Sequence, residues 1–234
     1  MLKHLFPLGL AMVFGAQAMA DETDIRKAME AKLGTKVESV TKSGYMGLYE
    51  VYADGQLLYT DEKMTTIIVG GQLIDAKTMK NVTDERMKKL TAIKFSELPL
   101  ERAIKQVRGD GKRIMATFED PNCGYCKRLA KELLKLDNVT VYTFLYPILS
   151  EDSVRKSKQI WCSSDRAKAW NDWMIDGKAP AGREDCDTSA VTKNQEFGRK
   201  LNISGTPTMF FADGERVPGA MPLPRIEQKL SAAK

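Results

Sequence analysis

The sequence predicts an α/β protein in two parts, a small N-terminal α+β unit and a larger layered α/β domain that carries a helical insertion. Three observations predict it. Asp54-Gly55 separates two runs rich in aromatic and branched residues, which signals a hairpin because both central turn positions take positive φ. From "RIMATFED" at 113–120 onward, short apolar runs alternate with helical stretches, the pattern of strands and helices layered on one sheet. Between the two parts lies a stretch with Met87, Leu90 and Ile93 at helical spacing. The expected division is a signal peptide at 1–20, an N-terminal unit at 21–78, a linker helix region at 79–99 and the larger domain at 100–234.

The compartment decides what a cysteine can be. Residues 1–20 read "MLKHLFPLGLAMVFGAQAMA": a lysine near the start, an apolar stretch, then Ala18, Met19 and Ala20. That is the tripartite pattern of a secretory signal cleaved after Ala20. The apolar stretch is interrupted and falls short of the roughly 20 residues that span a bilayer. A soluble, exported protein beginning at Asp21 is expected, periplasmic by the bacterial style of its signal.

Removing 1–20 takes away Lys3 and His4, which leaves 214 residues, 35 basic against 31 acidic, and no histidine. Basic and acidic residues alternate throughout, the look of solvated helix faces rather than of a nucleic-acid surface. Without an imidazole, Ser-His-Asp and Cys-His catalysis and His-ligated metal sites are excluded from the mature chain. Covalent c-type haem is excluded because Lys127, not His, follows Cys126. No cofactor and no metal is expected.

The first element is a helix over 22–33, with Ile25, Ala28, Met29 and Leu33 on one face and Gly34 as its stop. The hairpin around Asp54-Gly55 follows. "MTTIIVGGQLID" reads as a further strand kinked at Gly70-Gly71. A unit of about 60 residues is marginal alone, so it is expected either to dock on a partner, with residues 65–69 as the edge, or to pack on the larger domain. The connecting helix is expected over 84–93, with Thr83 as N-cap and Arg86 where a capping box wants Glu or Gln. The larger domain is expected to run as a strand at 113–120, a helix at 124–136 and a strand at 139–148. Helices at 154–162, 165–174 and 188–201 follow, then paired strands around Asp213-Gly214 and a closing helix at 225–233.

"FEDPNCGYCKRL", residues 118–129, carries the chemistry. Cys123 ends the loop after a strand, at the start of a helix, where backbone N–H groups and the helix dipole stabilise negative charge on sulfur. Cys126 lies one turn further on the same face. A disulfide between them closes too short a loop to cross-link a fold, so its use is redox chemistry. Zinc would need a second C-x-x-C knuckle, whereas Cys162 and Cys186 lie 24 positions apart. These two flank the helical insertion and read as a structural disulfide in an oxidising compartment.

"SGTPTMFF", residues 204–211, adds Thr206-Pro207 at the entry to a strand. Proline there marks a sheet edge, or a cis bond that exposes neighbouring backbone to an approaching chain. "F-x-D-P-x-C-G-Y-C" followed by "S-G-T-P" resembles the thioredoxin-fold disulfide oxidoreductases, and specifically the DsbC/DsbG family, over nearly the whole mature chain. The pattern departs from thioredoxin itself, with Asn122 before the first cysteine and Gly124-Tyr125 between the two.

The resemblance implies a thioredoxin-like catalytic domain and an N-terminal dimerisation domain in a V-shaped homodimer. It implies that Cys123 and Cys126 are catalytic and that Gly124, Tyr125, Thr206 and Pro207 meet the substrate. The expected activity is isomerisation or reduction of misoxidised exported proteins, with a membrane reductant of the DsbD type keeping Cys123 reduced. An apolar cleft, with Met46, Leu48 and Ile67 on its walls, would hold unfolded chains. A DsbG-like reductase of single oxidised cysteines and a DsbA-like oxidase are the alternatives.

Overall fold

The computed structural model describes residues 22–181 and 183–233; the expected signal peptide lies outside the described residues. The chain divides into two compact units, one ending at Gly71 and one beginning at Gln72.

In the first unit, helix α1 (Glu22–Leu33) is followed by strands β1 (Val37–Lys42), β2 (Tyr49–Ala53), β3 (Gln56–Thr60) and β4 (Ile67–Ile68), an antiparallel sheet in the order β1-β2-β3-β4. Asp54 and Gly55 take φ of 50° and 74°, the two positive values that the β2–β3 hairpin turn requires. Ile25 and Met29 of α1 pack on Val37, Val40, Tyr49, Val51 and Leu58. The strand expected from "MTTIIVGGQLID" shrinks to two residues. Asp61 accepts from the Thr66 amide and the Thr65 hydroxyl, which turns the chain before the strand, and Gly70 at φ 68° ends it.

The second unit opens on helix α2 (Val82–Thr91). Its N-cap is Asn81, whose side chain accepts from the Asp84 amide at 3.0 Å; Thr83 sits inside the helix, and its hydroxyl accepts from the Leu73 amide at 2.8 Å. The cap expected at Thr83 is therefore displaced by two residues, because that hydroxyl is taken by the incoming chain. After α2, the Ile93 amide donates to the Gly214 carbonyl. A Cβ on Gly214 would meet the Ile93 oxygen at 2.4 Å, so glycine is required at this approach.

The main sheet contains β5 (Ile104–Arg108), β6 (Arg113–Glu119), β7 (Val139–Leu145), β8 (Thr208–Phe211) and β9 (Arg216–Pro218), ordered β5-β7-β6-β8-β9. β6 and β7 run parallel and the other pairs antiparallel. The helices are α3 (Gly124–Leu133), α4 (Glu151–Trp161), α5 (Arg166–Met174), α6 (Ser189–Lys200) and α7 (Leu223–Ala232). Ser150 caps α4 and Asp165 caps α5, each accepting from an amide three residues on, so α4 starts three residues before the expected 154.

Side chains leave the strands alternately to two cores. Met115, Val139, Val141, Met209 and Phe211 pack under α3 and α7 with Leu129, Leu133, Ile226 and Leu230. Ala116, Phe118, Phe144 and Phe210 face the other way, against Phe95, Leu98 and Phe197 of α6. Phe118 is the centre of that side, stacked on Phe144 at 4.6 Å with Tyr146, Phe210 and Phe197 around it. β6 is thus held on both faces up to its last residue, and the next turn presents Cys123.

Candidate active site

Cys123 is the N-cap of α3, in extended backbone, and its sulfur accepts from the Cys126 amide at 3.4 Å. The Cys123 thiol donates to the Thr206 carbonyl at 3.3 Å across 83 residues of chain. The fold therefore brings "CGYC" and "TP" together, and the Thr206-Pro207 bond is cis. Both Cys123 and Cys126 are free thiols, Cys123 just beneath the surface and Cys126 fully buried. Burial pushes the Cys126 thiol far up, and the nearby Glu119 carboxylate and Cys123 push it further.

The remaining expected residues take distinct places. Tyr125 is 59 % exposed and stacks against Arg128, whose guanidinium lies 4.6 Å from the ring centre. Gly124 is exposed, and a Cβ there would meet nothing within 4 Å, so the position between the two cysteines faces open space. The Thr206 hydroxyl is buried with no hydrogen-bond partner among the described residues, and it is the residue's carbonyl that meets Cys123. Cys162 and Cys186 are joined as a disulfide between the end of α4 and the segment before α6. Of the residues expected on an apolar cleft, Met46 is 88 % exposed, Leu48 is half-buried, and Ile67 packs on the α1 core of the first unit.

Two residues that the sequence reading passed over, Glu119 and Asp120, lie fully buried at the end of β6. Glu119 accepts from the Thr117 hydroxyl at 2.7 Å through one oxygen, and its other oxygen has no partner among the described residues. Burial raises its carboxyl to about 7, against the opposing effect of the Thr117 hydrogen bond. Asp120 keeps hydrogen bonds on both oxygens: from the Asn122 amide and the Ser153 hydroxyl on one, and from the Ile148 and Leu149 amides on the other. Its carbonyl accepts from the Cys123 amide at 3.1 Å. The signal available in sequence was two acids abutting a buried strand, where a solvated loop would have been the ordinary expectation.

The insertion also reaches the site. Trp173 of α5 donates from its indole to the Pro121 carbonyl at 2.6 Å, with Lys127 and Lys156 against its ring at 4.1 and 4.5 Å. The loop before Cys123 is thus held by α5 as well as by Asp120.

A thioredoxin-like domain model matches residues 100–234, and a model of the disulfide bond isomerase protein N-terminal domain matches 16–84. The chain is 51 % identical over 217 residues to a probable thiol:disulfide interchange protein DsbC of Bordetella pertussis, covering 92 % of this chain and 76 % of that one. It is 28 % identical to the thiol:disulfide interchange protein DsbC of Escherichia coli K12, covering 98 % and 96 %. Among solved structures, a disulfide interchange protein from Neisseria gonorrhoeae is 43 % identical with a TM-score of 0.56, over 58 % of this chain and 98 % of that one. With a buried-thiol pair at a helix start, a mixed α/β fold and relatives of this kind over most of its length, the chain belongs to the DsbC family of thiol:disulfide oxidoreductases within the thioredoxin superfamily.

Proposed function

We propose that this protein is a periplasmic disulfide isomerase and reductase that works through Cys123 and Cys126 on misoxidised exported proteins. The carrying observation is the pairing of a near-surface thiol at a helix start with a fully buried one a turn behind it. The first can attack; the second can act only on a sulfur already joined to the first.

Cys123 as thiolate attacks a substrate disulfide, a new S–S bond forms to Cys123, and the substrate's other sulfur leaves as a thiolate. That thiolate attacks a second disulfide of the substrate and expels another thiolate, which attacks the substrate sulfur bonded to Cys123; Cys123 leaves as a thiolate and the substrate's redox state is unchanged. Reduction is the second outcome: Cys126 loses its proton and attacks the Cys123 sulfur, the substrate leaves as a thiolate, and two electrons have passed to it. Glu119, ionising near neutrality beside Cys126, is the base that takes this proton.

A pair that ends oxidised needs an electron donor, a membrane reductant of the DsbD type. The N-terminal unit pairs two copies, and an apolar surface that includes Met46 holds unfolded chains.

The test is substrate trapping. Cys123→Ser abolishes exchange, and Cys126→Ala accumulates substrate adducts that thiols release on non-reducing gels. Adducts that form through Cys126 when Cys123 is serine would reverse the two roles.

A further inference from the structure

Ile148 and Leu149 follow β7 and precede α4, with 37 % and 56 % of their surface exposed. Their backbone is held by the carboxylate that shapes the active-site loop. The amides of Ile148 and Leu149 donate to one Asp120 oxygen at 2.8 and 3.0 Å. The other oxygen accepts from Asn122, next to Cys123, and the Asp120 carbonyl accepts from Cys123 itself. Gln195 fixes the same loop from behind by donating to the Pro147 carbonyl. A single buried residue thus sets the position of two exposed apolar side chains relative to the attacking sulfur.

Scattered exposed apolar residues are ordinary. Two adjacent ones on a clamped loop are different when that loop is tied to a site that must receive a polypeptide. Asn122, next to Cys123, shares Asp120 with the Ile148 and Leu149 amides and reaches Ser150 with its side chain, so the loop borders the turn that presents Cys123; a substrate that covers this border takes water from Ile148 and Leu149. An apolar side chain gains from that burial, whereas a polar one loses hydration without a partner, because the loop's own amides are already bound to Asp120. The rigidity matters too, since no ordering of the loop opposes the contact.

We infer that Ile148 and Leu149 are specificity-determining residues that favour an apolar side chain next to the substrate's reacting cysteine, with Asp120 as the positioning residue that fixes them relative to Cys123. The inference rests on the reading of Cys123 as the attacking thiol.

The test uses two peptides, each carrying one cysteine as its mixed disulfide with glutathione and differing only in leucine or serine beside that cysteine. In the step followed, Cys123 thiolate bonds to the peptide sulfur and glutathione leaves as a thiolate. The full-length protein prefers the leucine peptide in kcat/KM by about tenfold. The double variant Ile148→Ser, Leu149→Ser brings the ratio to parity. Asp120→Ala, which leaves the 148 and 149 amides without their acceptor, lowers the ratio and speeds hydrogen exchange at those amides, a change that loss of the apolar side chains alone does not produce. A wild-type protein that exchanges both peptides equally, or a double variant that keeps the full preference, overturns the inference while Cys123 stands. A wild-type protein that exchanges neither peptide overturns the Cys123 assignment and the inference together.

Discussion

Glu119 is a carboxyl held where its charged form is costly, and the consequence has a definite sign. Its proton leaves near 4.5 in the unfolded chain and at about 7 in the folded one. Between those values the folded state holds the extra proton, so this group's contribution to stability is greatest below 4.5 and is lost as pH rises through 7. The loss amounts to about 3 kcal/mol above pH 7. Glu119→Gln cannot titrate, so in urea unfolding its stability relative to the wild type improves from pH 4 to pH 8; a gap that stays constant would show that Glu119 ionises normally. The kinetic effect runs the other way. Resolution of a mixed disulfide by Cys126 speeds up through pH 7 in the wild type, and this step in the variant is slow and flat, measured by stopped-flow release of a peptide thiol. At this scale the cysteines were legible, because spacing and a helix start are sequence properties. Glu119 and Asp120 were not, because a buried carboxyl and a solvated one are the same letters until the sheet and α4 close over them.

Elements were legible in proportion to how much of their surface they bury. β6, β7 and β8 are covered on both faces and read directly as apolar runs. β5 was missed: Ile104 is its one buried residue, and Val107 points to solvent on a strand paired along a single edge. Helix starts slipped where capping chemistry had two candidates, as with Asn81 and Thr83. The structure separates their roles, and a pair of variants checks it. Asn81→Ala costs about 1 kcal/mol of α2 stability, seen as faster hydrogen exchange at the Asp84 amide. Thr83→Val leaves that amide protected and frees the Leu73 amide instead. If both variants expose Asp84 equally, the cap has been misassigned. The same pair decides how firmly α2 is joined to the chain entering from Gln72, which the separation into two units makes a structural question rather than a matter of boundaries.

At the scale of the whole molecule, the fold class and the family could be read before any coordinates, because each is an order of motifs along the chain; the place of Thr206-Pro207 beside "CGYC" followed only from the resemblance. The clamp on the 148–149 loop and the Trp173 link from the insertion could not, since both depend on residues from three separate elements converging on one turn. The Cys162–Cys186 bond closes a loop of about 25 residues, worth around 3 kcal/mol in the chain-entropy description. It also has a consequence for how the protein comes to exist. A chain with four cysteines admits three complete pairings, and the native molecule uses none of them while its redox pair is reduced. Under the proposed function, each new copy with its four cysteines is itself a substrate for the finished ones. Reoxidation of fully reduced and unfolded protein should show a lag followed by acceleration, and a trace of native protein added at the start should remove the lag, with Cys162–Cys186 formation followed by peptide mapping. A time course indifferent to that seed would mean that the chain sorts its four sulfurs without help from its own kind.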